Sequence, residues 1–373
     1  MKRILRILLI NIAVLMAIIL VAEGALRVIS GAPHGRFKGW FSGRLGMYPE
    51  NFEQPNYGVT NWVVKTNSWG FRGDEVTLER VPGRARVVML GDSITDGFYV
   101  ENAFTYPAFV QKSLREKNID VEVINGACGG ATINRELAIF KDVMTPFKPD
   151  IAVLTFVTND IDGLKKVSDE QLLGERADND TSVRKVLRFL FVYTATGELV
   201  LDHTLRFISE EYDKNQKNAA EKPELDPDRY NIPGGDQFAA NAAHFMMRYA
   251  HSDAEILQEP FAPEVQKNVE RYLIGWDAFV AHARQHNIQP VFVYMPAYAQ
   301  IYDESVSMRM RDILQEHSDK AGVPFLDMTP VLRKEGATRI LHQAPKDYHH
   351  NPEGNRVIGQ ALADFLLEKA LVK

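Results

Sequence analysis

The sequence predicts an α/β architecture, a parallel sheet covered on both faces by helices, behind an N-terminal membrane helix and interrupted by a mostly helical insertion. Three observations carry this prediction. Short, almost wholly apolar runs alternate with charged stretches of helical spacing, as strands buried on both faces require. That rhythm stops between Asp162 and about Pro263. The chain also opens on an apolar run behind Lys2, Arg3 and Arg6.

The opening segment, residues 1–26, reads as a signal anchor. Its apolar run, Ile7 to Ala22, is somewhat short for a hydrocarbon core of roughly 30 Å, but Ile4, Leu5 and a snorkelling Arg6 extend it. Basic residues on its N-terminal side place the bulk of the protein outside the cytoplasm, periplasmic or extracellular. A cleaved signal peptide is the rival reading. It is disfavoured because Glu23 would stand three positions before the best cleavage point. Residues 27–83 carry Gly, Asn and aromatic residues without a period and read as a spacer that packs on the main domain, 84–373.

Within that domain the strand candidates are ARVVML (85–90), VEVIN (121–125), IAVLTF (151–156), QPVFVYM (289–295) and VPFLDM (323–328). Helices are expected over NAFTYPAFVQKSLREK, around 133–144, and from Pro352 to about Lys369, the last one started by Asn351 at the N-cap and Pro352 behind it. The stretch at about 163–263 carries many charged and Asn residues and the loop signals KPELDPDRY and NIPGGDQ. A structureless loop of that length is improbable in a compact domain, so a helical insertion is expected.

Composition narrows the function classes. The chain has 373 residues, 45% of them hydrophobic, enough for a substantial core. Its net charge of −6 and the lack of any Lys/Arg-rich run argue against a nucleic-acid partner. The single cysteine, Cys128, allows no intrachain disulfide and reads as a small residue under a Gly-rich turn.

In open parallel sheets ligands sit at the carboxyl ends of the strands. Four blocks follow strands here: GDSITDG (91–97), NGACGGAT (125–132), VTND (157–160) and, after a connecting segment, DYHHN (347–351). Each alone has a bland reading as a cap or a turn. Together they bring a hydroxyl, a Gly-rich turn, an amide and an Asp-His cluster to one edge.

In that order, and each after its strand, these blocks resemble the four blocks of the SGNH (GDSL-type) serine hydrolases, over roughly residues 84–162 and 285–369. The resemblance implies a flavodoxin-like three-layer α/β/α sandwich with a five-stranded sheet, and a serine esterase, acyl-ester hydrolase or related O-acyltransferase. Ser93 would be the nucleophile, which needs a base to take its proton. Asp347 would orient and charge-stabilise the imidazole. The oxyanion hole would comprise the backbone N–H groups of Ser93 and Gly130 and the side-chain amide of Asn159.

Two departures from the family pattern stand out. Val157 replaces the Gly expected two positions before Asn159. In the last block, counting three from Asp347 gives His350, whereas counting back five from Gly354 gives His349. The helix start at Asn351-Pro352 is the firmer ruler, which favours His349 as base and leaves His350 as the alternative. Neighbouring side chains in an extended segment point opposite ways, so only one of them can face Ser93.

No cofactor is called for. A metal site at His342, Asp347, His349 and His350 lacks a supporting His-Glu-x-x-His or Cys pair and leaves Ser93 and Asn159 unexplained. The α/β-hydrolase elbow needs a second Gly after the Ser, and no P-loop is present. A non-catalytic, membrane-anchored glycan-binding protein on the same fold is the rival from another class. The expected partners are an acyl-ester substrate, of which acylated cell-surface carbohydrate suits the expected location, and the membrane. The FLFVYTA segment (189–195) reads as helical core or insertion packing. Asp96 and Asp160 read as turn and cap residues, and TNSWGFRG (66–73) as a stretch packing near the site.

Overall fold

The computed structural model describes residues 2–31, 44–56, 62–173, 182–200, 203, 255–343 and 347–373. They belong to two compact units, one from Met1–Gly46 and Asp178–Glu224, the other from Met47–Ala177 and Leu225–Lys373.

In the first unit, helix α1 spans Lys2–Ser30. All side chains from Val14 to Ala22 are exposed. The expectation of a membrane-spanning anchor is not supported: among the described residues no helix is long and apolar enough to cross a membrane. The physical reason is length and polarity. The run Ile7–Ala22 gives about 24 Å of helix against roughly 30 Å of hydrocarbon, and the exposed Asn11 interrupts it. A second helix of this unit, Ser182–Tyr193, is followed by a segment that α1 holds. Glu23 accepts from the Ala195 amide at 2.8 Å and from the Thr196 amide at 3.0 Å, while Arg27 donates to the Tyr193 carbonyl at 2.7 Å. The core reading of FLFVYTA is corrected at Phe189 and Tyr193, which stay exposed and lie ring against ring at 6.3 Å. The expected insertion is helical at Asp169–Leu172 and Ser182–Tyr193. KPELDPDRY, NIPGGDQ and most of the remainder lie outside the described residues.

The second unit begins with an antiparallel hairpin, β1 (Glu53–Asn56) and β2 (Trp62–Lys65), which the aperiodic spacer sequence gave no reason to expect. The main sheet has β3 (Ala85–Leu90), β4 (Val121–Asn125), β5 (Ile151–Phe156), β6 (Gln289–Tyr294) and β7 (Phe325–Asp327). All neighbours pair in parallel, in the order β4-β3-β5-β6-β7. The chain therefore winds outward from β3 in both directions, and the crevice between β3 and β5 opens at their carboxyl ends.

The helices of this unit include α2 (Ser93–Asp96), α3 (Tyr106–Glu116), α4 (Ile133–Ile139), α5 (Asn159–Gly163), α6 (Pro263–Gln285), α7 (Arg309–Ala321), α8 (Thr329–Gly336) and α9 (Pro352–Glu368). Strand alternation sorts the core into two layers. Val87, Met89, Ile151, Val153, Val291 and Val293 join Val110 and Leu114 of α3 and Ile358 and Leu362 of α9. On the opposite face Phe156 packs edge-on against Tyr272 and Phe292 against Trp276, both from α6. Both faces are thus covered, which is why the strands read as unbroken apolar runs.

Candidate active site

The site is assembled where β3, β4 and β5 end. Gly91, with φ +157°, turns the chain out of β3, and the Asp92 side chain caps α2 by accepting from the Ile94 amide at 2.9 Å. Ser93 is the first residue of that helix and is buried. Its Oγ lies 2.8 Å from Nε2 of His349, a residue 256 positions later. Nδ1 of the same ring lies 2.5 Å from Asp347 Oδ1, and that carboxylate also accepts the His349 backbone N–H at 2.9 Å. With the Nδ1 proton directed to Asp347, Nε2 is left as the acceptor for the serine proton.

His349 faces Ser93; His350 does not. The segment is held extended by backbone bonds from Gln343 N to His349 O at 2.8 Å and from Asn351 N to Leu341 O at 3.0 Å. That pairing turns the two imidazoles to opposite sides. His350 is buried against His342, ring centroids 4.5 Å apart, and neither ring nitrogen has a hydrogen-bond partner among the described residues. Burial, reinforced by His349, pushes its pKa down to about 3. Behind this segment Asn351 caps α9, accepting from Gly354 N at 2.9 Å. A Cβ on Gly354 would stand 2.0 Å from Leu341 O, so the helix can start this close to the paired segment only with glycine there.

The Gly-rich turn is pinned to the end of β3. Gly126 N donates to Met89 O at 2.9 Å and Cys128 N to Gly91 O at 3.1 Å. Gly130 has φ +66° with open space where a Cβ would be, so its backbone can be approached by a ligand. Burial raises the Cys128 thiol to about 11, the wrong direction for a thiolate nucleophile.

Asn159 opens α5 and donates from Nδ2 to Asp92 Oδ2 at 2.9 Å. The same carboxylate oxygen lies 3.2 Å from Ser93 Oγ. Val157, in the place of a glycine, turns its side chain into the core, and its backbone N–H donates to Asp160 Oδ2 at 3.0 Å. The substitution therefore leaves Asn159 directed at the nucleophile helix. Asp160 acts locally as a turn cap. Asp96 is buried beside Tyr48, whose hydroxyl donates to it at 3.0 Å.

Sequence reasoning missed what surrounds the imidazole. Phe98 and Tyr348 lie stacked with the His349 ring at centroid distances of 5.4 and 4.5 Å, and Tyr99 meets it edge-on at 5.3 Å. It also missed the Asp92–Asn159 bond, which nothing local to either residue signals. Among the described residues no group of three or more His, Cys, Asp or Glu is arranged to hold a metal ion.

Residues 89–225 match the GDSL-like lipase/acylhydrolase family. An arylesterase of Vibrio mimicus is 29% identical over 75 residues, which are 20% of this chain and 38% of the relative, so the chain spans well under half of that relative's length. Among solved structures, a putative lipolytic protein of the G-D-S-L family from Desulfitobacterium hafniense DCB-2 is 13% identical with a TM-score of 0.41, covering 76% of this chain and 99% of the other. An acetyl xylan esterase is 14% identical with a TM-score of 0.39, covering 76% and 98%. The GDSL-like match covers only part of the site. It begins at Met89 in β3, and so takes in Ser93, Gly130 and Asn159, but stops before Asp347 and His349.

Proposed function

We propose that the protein hydrolyses acyl esters through an acyl-serine intermediate. The observation that carries this reading is the continuous Ser93–His349–Asp347 hydrogen-bond chain, whose serine lies within the GDSL-like match. His349 Nε2 takes the Ser93 proton as Oγ bonds to the acyl carbon. The carbonyl electrons move to an oxyanion that the N–H groups of Ser93 and Gly130 and one amide proton of Asn159 would meet. On collapse the alkoxide leaves with the proton from His349, and Asp347 stabilises the imidazolium between these steps. Water, activated by the same imidazole, then releases the acid. In an O-acyltransferase, a sugar hydroxyl would take the place of water.

For the substrate we propose an O-acylated, in particular acetylated, carbohydrate. The rings of Phe98, Tyr99 and Tyr348 beside the base give apolar faces on which a sugar ring of the leaving alcohol can pack. Membrane attachment through α1, with the catalytic unit outside the cytoplasm, is part of this proposal. Its support is the apolar stretch exposed on every side from Val14 to Ala22, which calls for an apolar surround.

A fluorophosphonate probe, followed by acetylated sugars and p-nitrophenyl esters with and without an acceptor glycan, tests the reading. Labelling of Ser93 and ester turnover, both abolished in Ser93→Ala, are expected. Folded protein that takes up no label would exclude a serine nucleophile. Acyl transfer to the acceptor in place of hydrolysis would select the transferase. Recovery of the full chain in the soluble fraction without detergent would exclude attachment through α1.

A further inference from the structure

Ahead of the family match, Arg72 is buried with a relative exposure of 4%. Its guanidinium is spent on one loop. Nη1 donates to the carbonyls of Asp96 and Gly97 at 2.8 and 2.7 Å, Nη2 to the carbonyl of Val100 at 2.6 Å, and Nε to Asn102 Oδ1 at 3.0 Å. Gly97 is the left-handed residue that ends the nucleophile helix α2. The Gly97 and Val100 carbonyls bracket Phe98 and Tyr99, the two residues whose rings pack on His349. Tyr99 has φ +65°, a conformation a side chain adopts only when its surroundings impose it.

The hairpin completes the clamp. Trp62 of β2 lies under the guanidinium at 5.0 Å and against Phe98 and Tyr99 at 6.0 and 6.1 Å. On its other side Phe98 lies against the Gly-rich turn, where a Cβ on Gly129 would be 2.6 Å from its ring. One planar cation thus fixes the end of the serine helix and the aromatic wall of the histidine together.

We propose that Arg72 is a positioning residue for the triad: by bridging the carbonyls on either side of Phe98–Tyr99 it sets the orientation of the His349 imidazole against Ser93. The inference deepens the serine-hydrolase reading and rests on it. Lysine cannot substitute, because a single ammonium cannot span acceptors that a flat five-donor fork reaches at once.

The full chain carrying Arg72→Ala or Arg72→Lys tests this with p-nitrophenyl acetate, fluorophosphonate labelling and circular dichroism at the assay temperature. In Arg72→Ala, kcat and the rate of Ser93 labelling should fall in parallel by about 100-fold, as a misplacement near 1 Å would cause. KM should stay within about twofold of wild type, the signature of an interaction that serves the transition state. Millimolar guanidinium should restore kcat saturably in Arg72→Ala and leave wild type unchanged. Where Arg72→Ala does not fold, Arg72→Lys carries the test with the same KM and labelling criteria. Wild-type kcat in the folded variant overturns the proposal. So does a loss of kcat that guanidinium leaves unrestored and that follows the unfolded fraction. If wild-type Ser93 takes no label, the hydrolase reading fails instead, and the ¹⁵N resonances of the His349 ring then decide. A shift in Arg72→Lys supports positioning, and identical resonances exclude it.

Discussion

Asp92 and Asn159 are bonded across the crevice, amide Nδ2 to carboxylate Oδ2 at 2.9 Å, although they stand 67 positions apart. The bond uses one of two amide protons and, in the proposed mechanism, leaves the other for a developing oxyanion. Asp92 therefore caps α2 through one oxygen and holds the Asn159 amide with the other. Asn159→Ala should lower kcat by about 10²–10³-fold, the usual cost of one such donor. Asp92→Asn sets an amide donor against the Asn159 amide and should cost a similar factor. The double variant should then lose little more than either single one, because both act through one interaction. Multiplying losses in steady-state assays would show that the two residues act separately.

The two histidines of DYHHN divide sharply in environment. His349→Ala should reduce kcat by about 10⁴-fold or more, and Asp347→Asn by about 10⁴-fold, since each removes the base or its tautomer control. His350→Leu keeps the triad and should retain activity within about threefold, its cost falling on packing. A p-nitrophenyl acetate assay of the variants separates them, and a deeper loss in His350→Leu would reverse the assignment of the base.

Buried His350 also sets a pH dependence. Its folded-state pKa, about 3, lies below the ordinary 6.5, so the folded state favours the neutral ring. That stabilisation is present above pH 6.5 and is lost progressively as the pH falls toward 3. His342, lowered by burial and then by His350 and His349, adds in the same direction. Thermal melts should show Tm dropping from pH 7 to pH 4, and the drop should be smaller in His350→Leu. Asp96 works against this trend. Burial, opposed by Arg72, raises it to about 6, so its contribution grows as the pH falls. An equally steep drop in His350→Leu would mean that other groups govern acid lability.

Glycine positions give a contrast of sign. Glycine to alanine inside a helix ordinarily stabilises by up to about 1 kcal/mol. Gly354→Ala should destabilise instead, by about 1–3 kcal/mol, because its Cβ would meet the Leu341 carbonyl oxygen at 2.0 Å. Gly130→Ala has room for the Cβ but sits at φ +66°, and should cost about 1–2 kcal/mol. Urea titration of both variants is the check, and a more stable Gly354→Ala would refute the close approach.

The parallel sheet was legible in the residues alone. The bounds of β3, β4 and β5 fall where apolar runs begin and end, because strands buried on both faces admit few polar residues. The start of α9 was legible too, since Asn351 and Pro352 carry their cap and helix geometry locally. The blocks that end the strands were legible for the same reason, each being a short-range turn. Which histidine meets Ser93, that Asp92 holds Asn159, and that Arg72 grips the loop beside the imidazole emerged from the folded chain; it supplied these contacts. It also placed Met47 onward with the catalytic unit and grouped the N-terminal residues with part of the insertion. These are contacts between residues far apart in the chain, formed by side chains whose local surroundings would equally suit a surface. Local periodicity fixes where backbone hydrogen bonds go, whereas the partner of a buried charge is settled only when distant segments pack together.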